Sequence, residues 1–178
     1  MNIVVLTGSP HKKGTSALLA DEFVRGAKQA GHKVLRFDAA FEKVKPCKAC
    51  DHCRRHNGEC THNDAMEDLN PGLIGADLVV FVTPLYYFGM TAQLKRVVDR
   101  FYAINAALRS APKRAMLLAT GADDEAPAME ALVGHYRAIC RYLGWKDAGA
   151  VLALGVGVRK DIEQTAFPQQ AYELGASL

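Results

Sequence analysis

The sequence predicts an α/β protein with a doubly wound sheet of five parallel strands, in the order 2-1-3-4-5, and with helices on both faces. Two observations support this. Short apolar runs alternate with longer amphipathic runs, which indicates repeated βα units. The apolar runs are hydrophobic at consecutive positions, as strands are when both faces of a parallel sheet are covered. With 178 residues, 49% of them hydrophobic, the chain is long enough to bury its own core as a single domain, residues 1–178.

The strands and helices follow one another regularly. The first strand is the β-branched run NIVVLT, and the central strand is the wholly apolar run DLVVFVT. Gly31 ends the first helix at the position where a left-handed residue is usual. We predict strands at residues 2–7, 33–37, 77–83, 113–120 and 146–154, and helices at residues 15–30, 94–102, 126–143 and 166–178.

Residues 38–76 interrupt this alternation. They show little periodicity and contain four of the five cysteines. A connection of this length inside a compact domain is usually functional. We therefore interpret residues 38–76 as a cysteine-rich insertion in the sheet protein.

Composition argues against several classes of function. The formal net charge of +3 is too small to indicate nucleic-acid binding. No apolar run approaches the ~20 residues of a membrane span. The start MNIVVLTGSP lacks the basic region and cleavage site of a signal peptide. We therefore expect a cytoplasmic protein that has no nucleic-acid or membrane partner.

The first strand leads into GSPHKKGTS, residues 8–16, directly before a helix. The unpaired N–H groups and the dipole of a helix N-terminus favour an anion. The loop has neither the Walker A nor the GxGxxG spacing, and hydroxyls at Ser9, Thr15 and Ser16 suit a terminal phosphate. The alternative is an ordinary βα loop in which Thr15 or Ser16 only caps the helix.

The aromatic run LYYFG, residues 85–89, follows the central strand. Tyr86, Tyr87 and Phe88 offer flat faces to a ring, and Gly89 allows close approach to the backbone. Ligands of such sheets bind where strands 1 and 3 diverge, so this run should lie beside the first loop. A phosphate on one loop and an aromatic ligand on the other describe a mononucleotide, with residues 120–122 as a third wall. The alternative is that the aromatics pack against a subunit or a helix.

Three stretches resemble the flavodoxin-like NAD(P)H-dependent FMN reductases: GSPHKKGTSALLADEF, TPLYYFGMTAQLKRVVDRFY and DIEQTAFPQQAYELGASL. The resemblance implies an FMN enzyme in which the cofactor carries the chemistry, so no catalytic side chain is named. It also implies that Lys95, Asp99 and Arg100 form surface or interface pairs. His11 stands where the family often has Arg. The implied FMN-binding residues are Ser9, His11, Gly14, Thr15 and Ser16 for the phosphate, and Pro84, Leu85, Tyr86, Tyr87, Phe88, Gly89, Thr120 and Gly121 for the ring.

The spacing of Cys47, Cys50, Cys53 and Cys60 is CxxCxxCx6C, and its first part is typical of ferredoxin cluster ligands. It resembles the segment of the iron–sulfur flavoproteins, which implies a 4Fe–4S cluster that exchanges electrons with FMN. Three alternatives stay open: zinc held by cysteines with His52, His56 or His62, a Cys50–Cys53 redox disulfide, and metal-free cysteines.

Three functions are compatible with these residues. The first is an oxidoreductase passing electrons from NAD(P)H through flavin N5 to a small acceptor such as a flavin or quinone. The second is an iron–sulfur electron carrier fed by a ferredoxin-like partner. The third is an FMN-binding redox sensor or interaction module. The resemblance further implies a homodimer or homotetramer, in which residues 38–76 or 101–112 cover the flavin.

Overall fold

The computed structural model describes all 178 residues. Five parallel strands form one sheet in the order β2-β1-β3-β4-β5, which confirms the predicted flavodoxin-like topology. The strands are β1 (Asn2–Thr7), β2 (Lys33–Asp38), β3 (Leu78–Pro84), β4 (Arg114–Thr120) and β5 (Lys146–Ala153). The helices are α1 (Thr15–Gln29), α2 (His52–Arg55), α3 (Met66–Gly75), α4 (Ala92–Arg100), α5 (Asn105–Ser110), α6 (Glu130–Leu143), α7 (Arg159–Glu163) and α8 (Phe167–Ala176).

Each strand sends alternate side chains into two separate cores. Val4 and Leu6 of β1 face the core beneath α3 to α6, whereas Ile3 and Val5 face the core beneath α1, α7 and α8. Two-sided burial therefore explains why the strands are apolar at consecutive positions. No helix is both long and apolar enough to cross a membrane.

The sequence analysis missed the helix α3. Met66, Leu69 and Leu73 are buried at helical spacing, but Pro71 lies inside the helix and obscures the pattern. This helix supplies the crossover between β2 and β3, so the irregular part of the insertion is limited to residues 39–65. The short helices α2, α5 and α7 were missed as well, and residues 126–129 form a 3₁₀ turn before α6.

Helices α1 and α8 cross at two glycines. A Cβ on Gly26 would lie 2.2 Å from the carbonyl oxygen of Tyr172, and one on Gly175 would lie 2.3 Å from that of Phe23. Backbone atoms cannot move aside as a flexible side chain can. The absence of side chains at these two positions therefore allows the helices to pack in direct backbone contact.

Replacing Gly175 by Ala should lower the free energy of unfolding by about 2 kcal/mol or more, because the new methyl group forces α8 away from α1. Gly134→Ala is the matched control, since a Cβ there meets nothing within 4 Å. The control should raise stability by roughly 0.5–1 kcal/mol through helix propensity. Chemical denaturation measures both variants. Equal stability of the two would contradict the close helix contact.

Candidate functional site: a cleft at the carboxyl edge of the sheet

The first loop leaves N–H groups at the N-terminus of α1 free to bind an anion. The Ser9 hydroxyl oxygen accepts a hydrogen bond from the His11 N–H at 3.1 Å, and the Gly14 N–H donates to the His11 carbonyl. Gly14 caps α1 without any side-chain hydrogen bond. The N–H groups of Thr15 and Ser16 donate to no group in the chain. The alternative that Thr15 or Ser16 caps the helix is therefore wrong.

A buried threonine joins this loop to the loop after β3. The Thr91 hydroxyl donates to the carbonyl of Gly8 at 2.8 Å and accepts from the N–H of Leu94, which caps α4. Its own N–H donates to the Thr83 hydroxyl at 3.1 Å. A Cβ on Gly8 would lie 2.3 Å from the Thr91 hydroxyl oxygen. Thr91, which the sequence analysis overlooked, therefore fixes the spacing of the two loops.

The aromatic run forms a tight turn from Tyr86 to Gly89, closed by two backbone hydrogen bonds of 3.1 Å. Its central residues Tyr87 and Phe88 have φ angles of 45° and 61°. Both angles are positive, as in a type I′ turn, which normally selects Asn-Gly. Two aromatic residues in this conformation store strain of about 1–3 kcal/mol each. Gly89 does not have a positive φ. The strained residues of the turn are therefore the two aromatic residues.

The turn exposes its aromatic side chains as predicted. Tyr87 is fully exposed, and Tyr86 and Phe88 are about half exposed at 44% and 58%. The strained backbone and the exposed apolar side chains of this turn each lower the stability of the folded protein. Such combinations concentrate at ligand-binding sites.

Most of the predicted residues line one cleft of about 600 Å³. This volume lies within the range typical of small-molecule sites, ~300–1,000 Å³. Those that line the cleft are Ser9, His11, Gly14, Thr15, Pro84, Leu85, Tyr86, Thr120 and Gly121. The hydroxyls of Thr15 and Thr120 lie 2.9 Å apart and so connect the first and third walls. Ser16, Tyr87, Phe88 and Gly89 do not line this cleft.

The loop after β5 forms a fourth wall that the sequence analysis missed. Lining the cleft, together with the exposed Lys12 and Lys13 of the first loop, are Val156, Gly157, Val158 and Arg159. Arg159 Nε lies 2.7 Å from a carboxylate oxygen of Glu163, one turn further along α7. The run GVGVR, residues 155–159, has no periodic pattern that would predict a binding loop. It lines the cleft because β5 ends at the same edge of the sheet as the other strands.

The cysteines lie on a separate loop, residues 46–63, which we call the cysteine loop. Buried Arg100 joins the two ends of this loop. Its Nη1 atom lies 2.7 Å from Asp64 Oδ2 and 2.9 Å from the carbonyl oxygen of Lys45. The same carboxylate accepts the N–H groups of Lys45 and Met66. Burial alone raises the pKa of Asp64, but the hydrogen bonds from Arg100, Lys45 and Met66 and the Arg100 charge outweigh it, so the pKa is lowered.

Arg100 therefore differs from its neighbours on α4. Lys95 and Asp99 form the expected exposed pair one turn apart. Arg100 is only 3% exposed, so its interpretation as a surface or interface residue is wrong.

All four clustered cysteines line a single small cavity of about 20 Å³, together with Arg100. Ala49, Asp51 and Asn57 bend the loop with positive φ angles, although none is glycine. No three Cys, His, Asp or Glu side chains converge where they could hold a single metal ion. The side chains as placed therefore give no support to the mixed Cys/His zinc site.

The thiols differ in their acidity. Hydrogen bonds from the backbone of His52 and from the Thr61 hydroxyl, together with the nearby Lys48, lower the pKa of Cys50 despite slight desolvation. Burial raises the pKa of Cys140 on α6 to about 11. Cys140 is a buried core residue and takes no part in the loop.

Comparison with known proteins agrees with this geometry. The profile of the family described as NADPH-dependent FMN reductase matches residues 1–157. The chain belongs to the NADPH-dependent FMN reductase family. An iron–sulfur flavoprotein of Archaeoglobus fulgidus is 37% identical over 105 residues, which cover 59% of this chain and 53% of that protein. The chain thus spans about half the length of this curated relative.

Two further comparisons extend over the whole chain. A protein of Bacillus subtilis described as a putative NAD(P)H-dependent FMN-containing oxidoreductase is 25% identical over 165 residues, covering 87% of this chain and 86% of that protein. The structure of an FMN-dependent NADH-azoreductase from Bacillus anthracis, in complex with FMN, superposes with a TM-score of 0.69 at 14% identity, covering 98% of each chain. At this identity the superposition supports the fold alone.

The cleft has the chemistry that FMN requires. Unpaired N–H groups at the start of α1 and the Thr15 hydroxyl suit a phosphate, and Lys12, Lys13 and Arg159 add positive charge at the rim. Pro84, Leu85 and Tyr86 offer an apolar wall for a ring. The four clustered cysteines of the cysteine loop line one cavity, and four cysteine thiolates are the usual ligand set of a 4Fe–4S cluster.

Replacing Thr15 by Val should weaken FMN binding about tenfold, because the variant loses the hydroxyl that we expect to donate to the phosphate, a bond worth ~1.5–3 kcal/mol when the acceptor is charged. Riboflavin, which has no phosphate, should bind the variant and the parent protein equally. Fluorescence titration measures both ligands. Ser110→Ala, on the remote helix α5, is the control. An equal loss for FMN and riboflavin would contradict a phosphate at Thr15.

Proposed function

We propose that the chain is an FMN-dependent oxidoreductase that takes hydride from NAD(P)H and passes electrons to a small acceptor such as a flavin or a quinone. One observation carries this proposal. A single cleft combines the unpaired helix N-terminus of α1 with an apolar wall and an adjacent, strained aromatic turn. This pairing suits a phosphorylated ligand with a flat ring.

Each wall of the cleft has a distinct task in this proposal. The first loop holds the phosphate through the N–H groups of Thr15 and Ser16, and the segment Pro84–Tyr86 supports the ring. FMN, when bound, supplies hydride acceptance at N5 and electron release to the acceptor. The sequence has no second dinucleotide fingerprint, so NAD(P)H and the acceptor would use the same open side of the cleft in turn.

The direct test is reduction of the FMN-loaded protein under anaerobic conditions. Addition of NADPH or NADH should bleach the flavin absorbance within the dead time of manual mixing, and the quicker donor identifies the preferred nucleotide. A quinone should then restore the absorbance. Failure of both nucleotides to bleach the flavin would contradict the proposed function.

The aromatic turn gives a sharper prediction. The double variant Tyr87→Asn/Phe88→Gly places the residues that a type I′ turn prefers at its centre. Its FMN-free form should gain about 1–3 kcal/mol in the free energy of unfolding because the strain is released. Neither Tyr87 nor Phe88 lines the cleft, and we propose that their side chains reach the ring once FMN is bound. FMN affinity should therefore fall roughly tenfold in the variant, since stacking of a flat ring on an aromatic side chain is worth ~1–3 kcal/mol. Denaturation and FMN titration measure the two effects. Unchanged affinity would show that the turn serves another purpose.

A second function, electron exchange with an acidic protein through the cysteine loop, is favoured by charge. Residues 43–63 contain five cationic side chains and two carboxylates. The net charge of this segment is therefore +3, the same as that of the whole chain. Lys43, Lys45, Lys48, Arg54 and Arg55 are all exposed. A cluster bound by Cys47, Cys50, Cys53 and Cys60 would be held within the same cationic stretch of the chain.

Charge reversal distinguishes this second function from the first. Arg54→Glu/Arg55→Glu should slow reduction by an acidic ferredoxin-like donor at least tenfold at low ionic strength, because steering of the encounter is lost. Bleaching by NADPH should not change. Lys28→Glu/Lys33→Glu reverses two exposed charges away from the loop and is the control. Equal slowing by both double variants would indicate a general charge effect and contradict a docking site.

We further propose that two or more copies associate. An apolar groove of about 360 Å³ lies between residues 98–105 and the helix α6, and it contains Tyr102 and Tyr142. These tyrosines are 44% and 57% exposed. A second copy of the chain is the occupant that the expected homodimer or homotetramer implies. A monomeric mass in light scattering would contradict this association.

A further inference from the structure

Arg100 has one buried polar atom that the chain leaves without a partner. Its Nη1 group holds Asp64 and the Lys45 carbonyl, but its Nε–H is buried and has no acceptor. A buried N–H of a charged group is strongly unfavourable unless it donates a hydrogen bond. The Nε–H of Arg100 is therefore free to donate to a group outside the polypeptide.

The position of Arg100 indicates where that partner lies. Arg100 lines the same cavity as the four clustered cysteines, alongside Tyr102 and Ala103. The loop is held against this helix end by the hydrogen bond from the Tyr102 hydroxyl to Asp51 at 3.1 Å. Gly58 also packs against it, since a Cβ there would lie 2.8 Å from the carbonyl oxygen of Ala103. Arg100 thus forms part of the wall of the cavity that the four cysteines line.

We propose that Arg100 is a positioning residue for an iron–sulfur cluster: it joins the two ends of the cysteine loop through Asp64 and donates its Nε–H to a sulfur atom of the cluster. This inference rests on the cluster of the proposed second function. Hydrogen bonds to cluster sulfurs stabilise the reduced, more negative state and raise the reduction potential. Arg100 therefore sets the potential of the cluster as well as the geometry of its ligands.

The ion pair makes the two roles separable. Arg100→Lys keeps a positive charge opposite Asp64 but removes the Nε–H. Asp64→Asn keeps the Nε–H but removes the negative charge that balances Arg100. The first change should lower the reduction potential, and the second should raise it. A purely structural role predicts that both variants loosen the loop and shift the potential in the same direction.

The experiment is a redox titration, followed by electron paramagnetic resonance, of protein reconstituted anaerobically with iron and sulfide. For Arg100→Lys, the equilibrium constant of one-electron reduction should fall about tenfold, a midpoint shift of ~59 mV to lower potential. Arg96→Lys is the matched control. It lies one turn earlier on α4 and also has a buried Nε without an acceptor, but it does not line the cavity. The control should leave the potential unchanged.

Three results would overturn the inference: an unchanged potential in Arg100→Lys, equal shifts in Arg100→Lys and Arg96→Lys, or shifts of the same sign in Arg100→Lys and Asp64→Asn. FMN binding checks that each variant is folded. Arg100→Lys could bind FMN and yet take up no iron. In that case the cluster potential of Asp64→Asn is the deciding measurement. A potential above that of the wild type supports the inference, and any other result overturns it. A wild-type protein that takes up no iron also overturns it, while bleaching by NADPH tests the reductase independently.

Discussion

The hydrogen bond from the Thr91 hydroxyl to the Gly8 carbonyl is the contact on which the site depends. Parallel strands β1 and β3 end side by side, and their following loops diverge because the chain crosses to opposite faces of the sheet. Thr91 ties the two loops together at the base of this divergence and also caps α4. The anion-binding end of α1 and the aromatic turn are therefore held at a fixed separation. No side chain fits between them, which requires glycine at position 8.

Stability is lowered at several points around this framework. Tyr87 and Phe88 adopt left-handed conformations, and Ala49, Asp51 and Asn57 do so in the cysteine loop. The N–H groups at the start of α1 and the Nε of Arg100 have no acceptor in the chain. Ala49, Asp51 and Arg100 line the cavity of the cysteine loop, and Thr15 lines the cleft that lies beside the aromatic turn. Backbone strain and unpaired polar groups beside a cavity are typical of ligand-binding sites.

The sequence predicts the sheet well because its strands are buried on both faces and the order of βα units leaves few topologies. It also predicts the first and third loops, since Gly14, Thr15 and Thr120 directly flank strands and helices. It does not reveal α3, because Pro71 interrupts the helical pattern. It also misses Arg159 and the burial of Arg100. Those two placements depend on contacts between residues far apart in the sequence, 36 positions for Arg100 and Asp64, and no local pattern reports them.

The most direct test of the account is a crystal structure of the protein with FMN. The account predicts a phosphate group within hydrogen-bond distance of the Thr15 and Ser16 N–H groups, and a ring against the segment Pro84–Tyr86. Thr91 should keep its hydrogen bond to Gly8, since the cleft is already formed. FMN bound elsewhere, or a phosphate turned away from the start of α1, would contradict the central claim that the β1–β3 divergence is a flavin site.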